Sequence, residues 1–307
     1  LRELSSDDKV DFRSCGGPGA GGFLEAPVVR DGEVSAVMPN AHFTLALRDR
    51  LRLPLCAPGS RCQRRDASGV VCGKALDPRG KHCKLCEFGS ARTGRHNSLR
   101  DFVARYHYST SGLVSIKEQR VVAWDRVHPR TGQLEEARLD VATRDAATGL
   151  PVFVDATVTC AFSGYAPCQR ARANKDGLAA ASAVSSKRAR YPPSGGDLVP
   201  FAFEDGGRPA EETVAFVRSW GHGFSLGERS GVIRFAWQQL SVLLQLGNAE
   251  MILSSKGSCA CGVGPWPRCL LGLGRRCAFR FGCAPPLSRG WVVAGGDAPS
   301  EPWTDGA

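Results

Sequence analysis

No uninterrupted hydrophobic run in this chain is long enough to cross a bilayer. The longest apolar stretch, GVIRFAWQQLSVLLQLGNAEMIL, is broken by Arg234, Gln238, Gln239, Gln245 and Asn248. It reads as an amphipathic helix, not as a span. The opening LRELSSDDKV lacks the apolar stretch of a cleavable signal. It begins with Leu where a complete product would begin with Met, so a piece of a longer protein is expected. No internal repeat is evident. A membrane protein, a secreted precursor and a repeat array are all disfavoured.

Acidic residues are the scarcer charge, 30 against 40 basic ones, leaving a net charge of +10 over 307 residues. That balance predicts a polyanionic partner, nucleic acid before an acidic membrane surface. The length suits one good-sized core or two smaller ones. Cysteine is plentiful at 13, but its distribution does not suit a disulfide framework. Cys62, Cys72, Cys83 and Cys86 surround His82, a mixed set that favours metal. Cys259, Cys261, Cys269, Cys277 and Cys283 fall in a Gly/Arg/Pro-rich tail without periodicity. A reduced, intracellular chain is expected.

Composition divides the chain into five stretches. Residues 1–40, rich in Gly, Asp and Ser, suggest a linker or disordered lead-in, and 41–92 hold a short helix from His42 and the Cys/His cluster. Residues 93–224 carry alternating helix and strand patterns. RHNSLRDFVARYHY is a helix candidate with Asn97 as its cap, followed by strands in LVSIKEQRVVAW, ARLDVAT and LPVFVDATVTCAF. An Ala-rich helix over 169–191, a strand in LVPFAFE and a helix opening at Pro209 complete the stretch. Residues 225–256 form the amphipathic helix, with Gly247 and Asn248 as stop signals, and 257–307 suggest a disordered tail. The expected class is α/β, with core order helix, strand, strand, strand, helix, strand.

Two aspartates stand out. Asp140, in ARLDV, follows an alternating pattern that sets Leu139 and Val141 on one face and the acid on the other. Asp155 ends the apolar run LPVFV, where a carboxylate is costly unless paired, hydrogen-bonded or on a metal. On neighbouring strands the two can share one divalent cation, Mg²⁺ by preference, because it takes a few carboxylates and keeps water and phosphate oxygens. Lys187, in SSKRARY, can stabilise charge that builds up during phosphodiester hydrolysis. Lys175 is the alternative lysine, and Glu118 can complete the acidic set or remain an exposed strand acid.

Cys62, Cys72, His82 and Cys86 offer four ligands for a structural zinc ion, with Gly73 and Gly80 easing the loops and Cys83 or Cys56 as substitutes. Arg95, His96, Arg100 and Arg188 are candidate nucleic-acid contacts in basic surroundings. DNA is the expected partner, RNA the second candidate; no membrane is involved, and nothing sets the oligomeric state.

These segments resemble the C-terminal region of non-LTR retrotransposon polyproteins, in which a CCHC zinc knuckle precedes a restriction-enzyme-like endonuclease. The pieces are VVCGKALDPRGKHCKLC, GRHNSLRDFVARY, EQRVVAWDRVHPRTGQLEEARLDV, VFVDATVTC, SSKRARYPP and LVPFAFEDGGRPAEETVAFVRSWG, in order over about 40–256. The resemblance implies a PD-(D/E)xK nuclease core of order α-β-β-β-α-β. Cys62, Cys72, His82 and Cys86 would be the knuckle ligands, Asp140 and Asp155 the metal-binding acids and Lys187 the catalytic lysine. It also implies nuclear location. Two departures are visible: Leu139 stands where the family has proline, and Thr157 occupies the xK position. There is no Tyr-x-Asp-Asp polymerase signature. A catalytically inactive nucleic-acid-binding remnant is the alternative expectation.

Overall fold

The computed structural model describes residues 3–26, 38–162, 166–193 and 196–257. The Gly/Cys-rich tail from residue 258 lies outside these residues, as does 27–37 of the expected lead-in. Ser5 caps the first helix, α1 (Ser6–Ser14), its hydroxyl accepting the Asp8 N–H at 3.1 Å. This corrects the expectation of a linker over residues 3–26. Val10, Ser14, Ala20 and Phe23 are buried, and Asp7 and Asp11 pair with Lys81 and Arg79. A few scattered anchors do this, so no periodic stripe betrays it.

Next come α2 (Asn40–Arg50), the cysteine-bearing loops, α3 (Lys81–Leu85) and α4 (Ala91–Ser111). Asn97 is inside α4 rather than at its cap. The chain continues through β1 (Ile116–Arg120), a ribbon of β2 (Arg126–Val127) and β3 (Leu134–Glu135), β4 (Arg138–Arg144) and β5 (Pro151–Thr159). The one Ala-rich helix expected here is two, α5 (Ala166–Asn174) and α6 (Leu178–Arg190). Gly177 makes the break at φ +70°, a left-handed backbone that glycine adopts without steric cost. β6 (Asp197–Glu204), α7 (Glu211–Ser219) and α8 (Leu226–Ser255) close the described chain.

The fold is mixed α/β. Its four-stranded sheet has the order β1-β4-β5-β6, antiparallel except for the parallel β5–β6 pair. A parallel pair needs a crossover, supplied here by α5 and α6. Core elements therefore succeed one another as α4, β1, β4, β5, α5–α6, β6, with the β2–β3 ribbon inserted.

One sheet face packs Val141, Val154 and Phe201 against Leu99 and Val103 of α4, Val217 of α7 and Leu240 and Leu244 of α8. On the other, Ala180 and Val184 of α6 meet Ala202. Leu139 joins Trp124 and Leu198 in a separate cluster from Val141. The shared face expected for Leu139 and Val141 is thus not kept around Asp140. α8 also runs on past Gly247 and Asn248. At Gly247 a Cβ would stand 2.4 Å from Arg95 Cγ, so the glycine admits a side chain there instead of ending the helix.

Candidate active site and metal centre

Strands β4 and β5 pair Val141 with Val154, and the next position of that register sets Asp140 opposite Asp155. The paired ladder ends one step short of them. Asp140 Oδ2 accepts the Ala156 N–H at 2.6 Å, a donor that a continuing ladder would give to a carbonyl. From α4, His96 Nε2 lies 2.8 Å from Asp140 Oδ1. From α6, Lys187 Nζ lies 2.7 Å from Asp155 Oδ2. That oxygen is buried without an aligned hydrogen-bond donor, so the lysine contact is an ion pair of imperfect alignment. Helices from both sheet faces thus deliver one cationic or protonatable group to each acid.

Two adjacent buried carboxylates cannot both ionise cheaply. Burial, opposed by Lys187 and reinforced by the Asp140 charge, pushes Asp155 up to about 6. Burial acts against ionised Asp140 too. The hydrogen bond and charge of His96, the Ala156 N–H and the Asp155 carboxyl outweigh it and hold Asp140 below the ordinary range. Where a proton is held between them, it resides on Asp155.

Glu118 does not join the pair. It stands level with Asp140, between the rungs Lys117–Val141 and Gln119–Leu139, but its backbone is left-handed at φ +56°. Its carboxylate pairs with Arg100 instead. Lys175 sits in the exposed turn before Gly177, so Lys187 is the lysine at the acids. Thr157 lies farther along β5.

The four candidate nucleic-acid contacts separate. Arg95 is 3 % exposed and donates to Asn248 Oδ1 at 2.6 Å. Burial lowers its pKa to about 10, and a residue so enclosed cannot meet a phosphate, which corrects that expectation. His96 is directed at Asp140, and Arg100 is spent on Asp101 and Glu118. Arg188 is half-exposed, with Glu212 3.8 Å away, and is the one of the four left facing solvent.

Cys62, Cys72, His82 and Cys86 converge, one ligand atom from each lying within 4.8 Å of all the others. The Cys62 and Cys86 sulfurs are 3.8 Å apart, and Cys72 Sγ is 3.4 Å from His82 Nε2. Zinc at about 2.3 Å from sulfur and about 2.0 Å from nitrogen, at tetrahedral angles, asks for separations of about 3.8 and about 3.5 Å. The quartet could hold such an ion. Local folding explains the convergence: Cys62 N–H donates to Lys74 O and Gly73 N–H to Cys62 O, tying the first two ligands together. The Asp77 carboxylate accepts the N–H groups of Arg79, Lys81 and His82 and so orients the α3 turn. Burial, helped by Lys74 and Arg64, lowers the His82 pKa and favours the neutral imidazole that a metal needs. Cys83 and Cys56 are not in the quartet; their sulfurs pair 3.7 Å apart in the core beside it.

Sequence reasoning missed the buried ionic network behind both sites. Lys84 Nζ lies 2.7 Å from Asp49 and 3.1 Å from Asp205, and Asp205 also accepts the Ala161 N–H. Asn248 joins Arg95 to the Asp205 carbonyl. Each of these looks like a surface residue or a helix stop when met singly. The available signal was Asp205 directly after the apolar strand LVPFAFE. Among the described residues no helix is long and apolar enough to cross a membrane. No family model matches the chain, and no curated protein matches it in sequence.

Proposed function

We propose that this chain is a metal-dependent DNA endonuclease domain of retroelement type that nicks target DNA. What supports the reading above all is the Asp140–Asp155 pair with Lys187 2.7 Å from Asp155. The restriction-enzyme-like PD-(D/E)xK assignment rests on the sheet order, the strand succession and the sequence resemblance together. Cleavage presupposes access to chromosomal DNA, hence nuclear location.

The acid pair suits Mg²⁺ by its donors: two hard carboxylates held adjacent, one carrying a proton a cation can replace and a buried oxygen without an aligned donor. Asp140 and Asp155 would hold the ion, which would supply an activated water and a counter-charge for the phosphate. His96 and the Ala156 N–H fix the Asp140 carboxylate. Lys187 brings a positive charge to the reacting phosphate without reorganisation, a contribution of about 10²–10³ in rate where one such group is removed. The Cys/His quartet takes zinc as a structural knuckle and ties the loops to the C-terminal end of α8.

A second reading, an inactive nucleic-acid-binding remnant, is favoured by Glu118, whose turn toward Arg100 leaves the acids without a third carboxylate. Plasmid nicking by the full chain in Mg²⁺ separates the two. Nicking abolished by EDTA and by Asp155→Ala supports the nuclease. Retained DNA binding without any nicking leaves the remnant.

A further inference from the structure

A cavity of about 360 Å³ opens between α1, the end of α2, the α5–α6 turn and the segment after β6. None of the acid-site or quartet residues lines it. Arg13, Arg50, Arg52 and Arg208 contribute four guanidinium groups to its wall, against the two carboxylates of Asp11 and Asp176. Those carboxylates are already engaged. Asp176 serves both Arg13 and Arg208, and Asp11 pairs with Arg79. Arg50 donates to the Ala20 carbonyl at 3.0 Å. Arg52 keeps 30 % of its side chain exposed, and its ion-pair partner Asp8 lies 3.7 Å from Nη1, beyond hydrogen-bond distance.

Two features add shape and chemistry. Phe12 lines the cavity with 55 % of its surface exposed, an aromatic face left to solvent. At Gly16 a Cβ would stand 2.3 Å from Arg208 Nη2, so the absence of a side chain there is what admits that guanidinium. Burial pushes the Cys15 thiol up to about 11, so this wall adds no negative charge at neutral pH.

We infer that this cavity binds an unpaired nucleotide of a single-stranded nucleic acid, its base stacked on Phe12 and its phosphate held by Arg50 and Arg52. Surplus guanidinium charge, with Arg52 only loosely paired, asks for an anion. An exposed aromatic beside them asks for a flat apolar partner, and an unpaired nucleotide carries both. A duplex keeps its bases stacked inward and cannot offer one to Phe12. The inference stands apart from the acid-site reading, since a chain unable to cleave would still bind here.

The test is fluorescence anisotropy of the full chain with a labelled single-stranded oligonucleotide, competed by unlabelled single strand, duplex or mononucleotide. Phe12→Ala is expected to weaken single-strand binding about fivefold or more, the scale of one lost base–aromatic stack, and to leave duplex binding unchanged. Phe12→Tyr should restore it. Arg50→Gln with Arg52→Gln should reduce the salt dependence by about 0.7 per lost phosphate contact. Unchanged single-strand affinity in Phe12→Ala, equal loss for duplex, or a mononucleotide competing as well as the oligonucleotide would each overturn the inference. Asp155→Asn run alongside should bind the single strand normally, and so separates this site from the acid pair.

Discussion

His96 on α4 and Asp140 on β4 meet at 2.8 Å between Nε2 and Oδ1, joining the helical layer to the sheet at the point where the β4–β5 ladder stops. Asp140 Oδ2 is taken by the Ala156 N–H, so both oxygens of this carboxylate are fixed from outside the pair. Asp155 has no such clamp from outside the pair beyond the ion pair with Lys187, and otherwise meets the Asp140 carboxylate. The environments drive the two acids apart, one held ionised and one inclined to carry a proton, which is the pattern of a site prepared for chemistry.

On the endonuclease reading, His96 would act through Asp140 as a positioning residue. His96→Ala should lower nicking about 10–100-fold, the usual cost of losing a partner that orients a metal-binding group. Its signature is weaker apparent Mg²⁺ affinity with the fold intact by circular dichroism. Full nicking at low Mg²⁺ in this variant would remove the role.

Asp155 gives a pH dependence with a defined sign. Its folded pKa, about 6, lies above the ordinary 3.8, so the native state binds the proton more tightly than the unfolded chain. The associated stability is complete below the unfolded value and is lost as pH rises through about 6. Without Mg²⁺, wild type should lose Tm relative to Asp155→Asn between these limits. If the pair holds Mg²⁺ as proposed, the ion would displace that proton, and its apparent affinity should increase over the same window. Thermal scans and Mg²⁺ titrations at stepped pH check both.

The quartet predicts about one zinc per chain by elemental analysis. Cys72→Ser should abolish it, whereas Cys56→Ser should retain it, since Cys56 pairs with Cys83 outside the quartet. Chelation should lower Tm, because Cys62 and Cys86 pack with Leu55, Ile252 and Leu253 in one cluster that a bound zinc would cross-link. A metal-free protein with unchanged Tm would show that the cysteines fold the segment unaided.

Much of this was legible in the sequence because it depends on local pattern. Alternation and an apolar run found β4 and β5, and Pro192 and Pro193 marked the end of α6. Long-range pairings were not legible. Arg95 looked like a phosphate contact because basic neighbours surround it in sequence, while its true partner Asn248 is 153 residues away. Glu118 looked like a third acid because it lies on the strand candidate before that of Asp140, and the left-handed backbone that turns it to Arg100 has no sequence signal. The Gly247–Asn248 pair carries the same letters as a helix stop and serves instead to admit and bind Arg95.

That misreading yields a contrast between two arginines. Arg95 is buried against Asn248 and close enough to Asp205 for their charges to interact, so Arg95→Met leaves Asp205 with only Lys84 as a cationic partner. Breaking a buried ionic group in this way costs about 3–5 kcal/mol and should appear as a large fall in urea midpoint. Binding of duplex DNA by the surviving folded fraction should keep its salt slope, since Arg95 touches no phosphate. Arg188 is half-exposed with only a 3.8 Å carboxylate neighbour, so Arg188→Gln should leave stability within about 0.5 kcal/mol. If Arg188 meets the DNA backbone, the same variant reduces the salt slope by about 0.9. A stable Arg95→Met protein with a reduced slope would mean that helix α4 opens to expose this arginine when DNA binds.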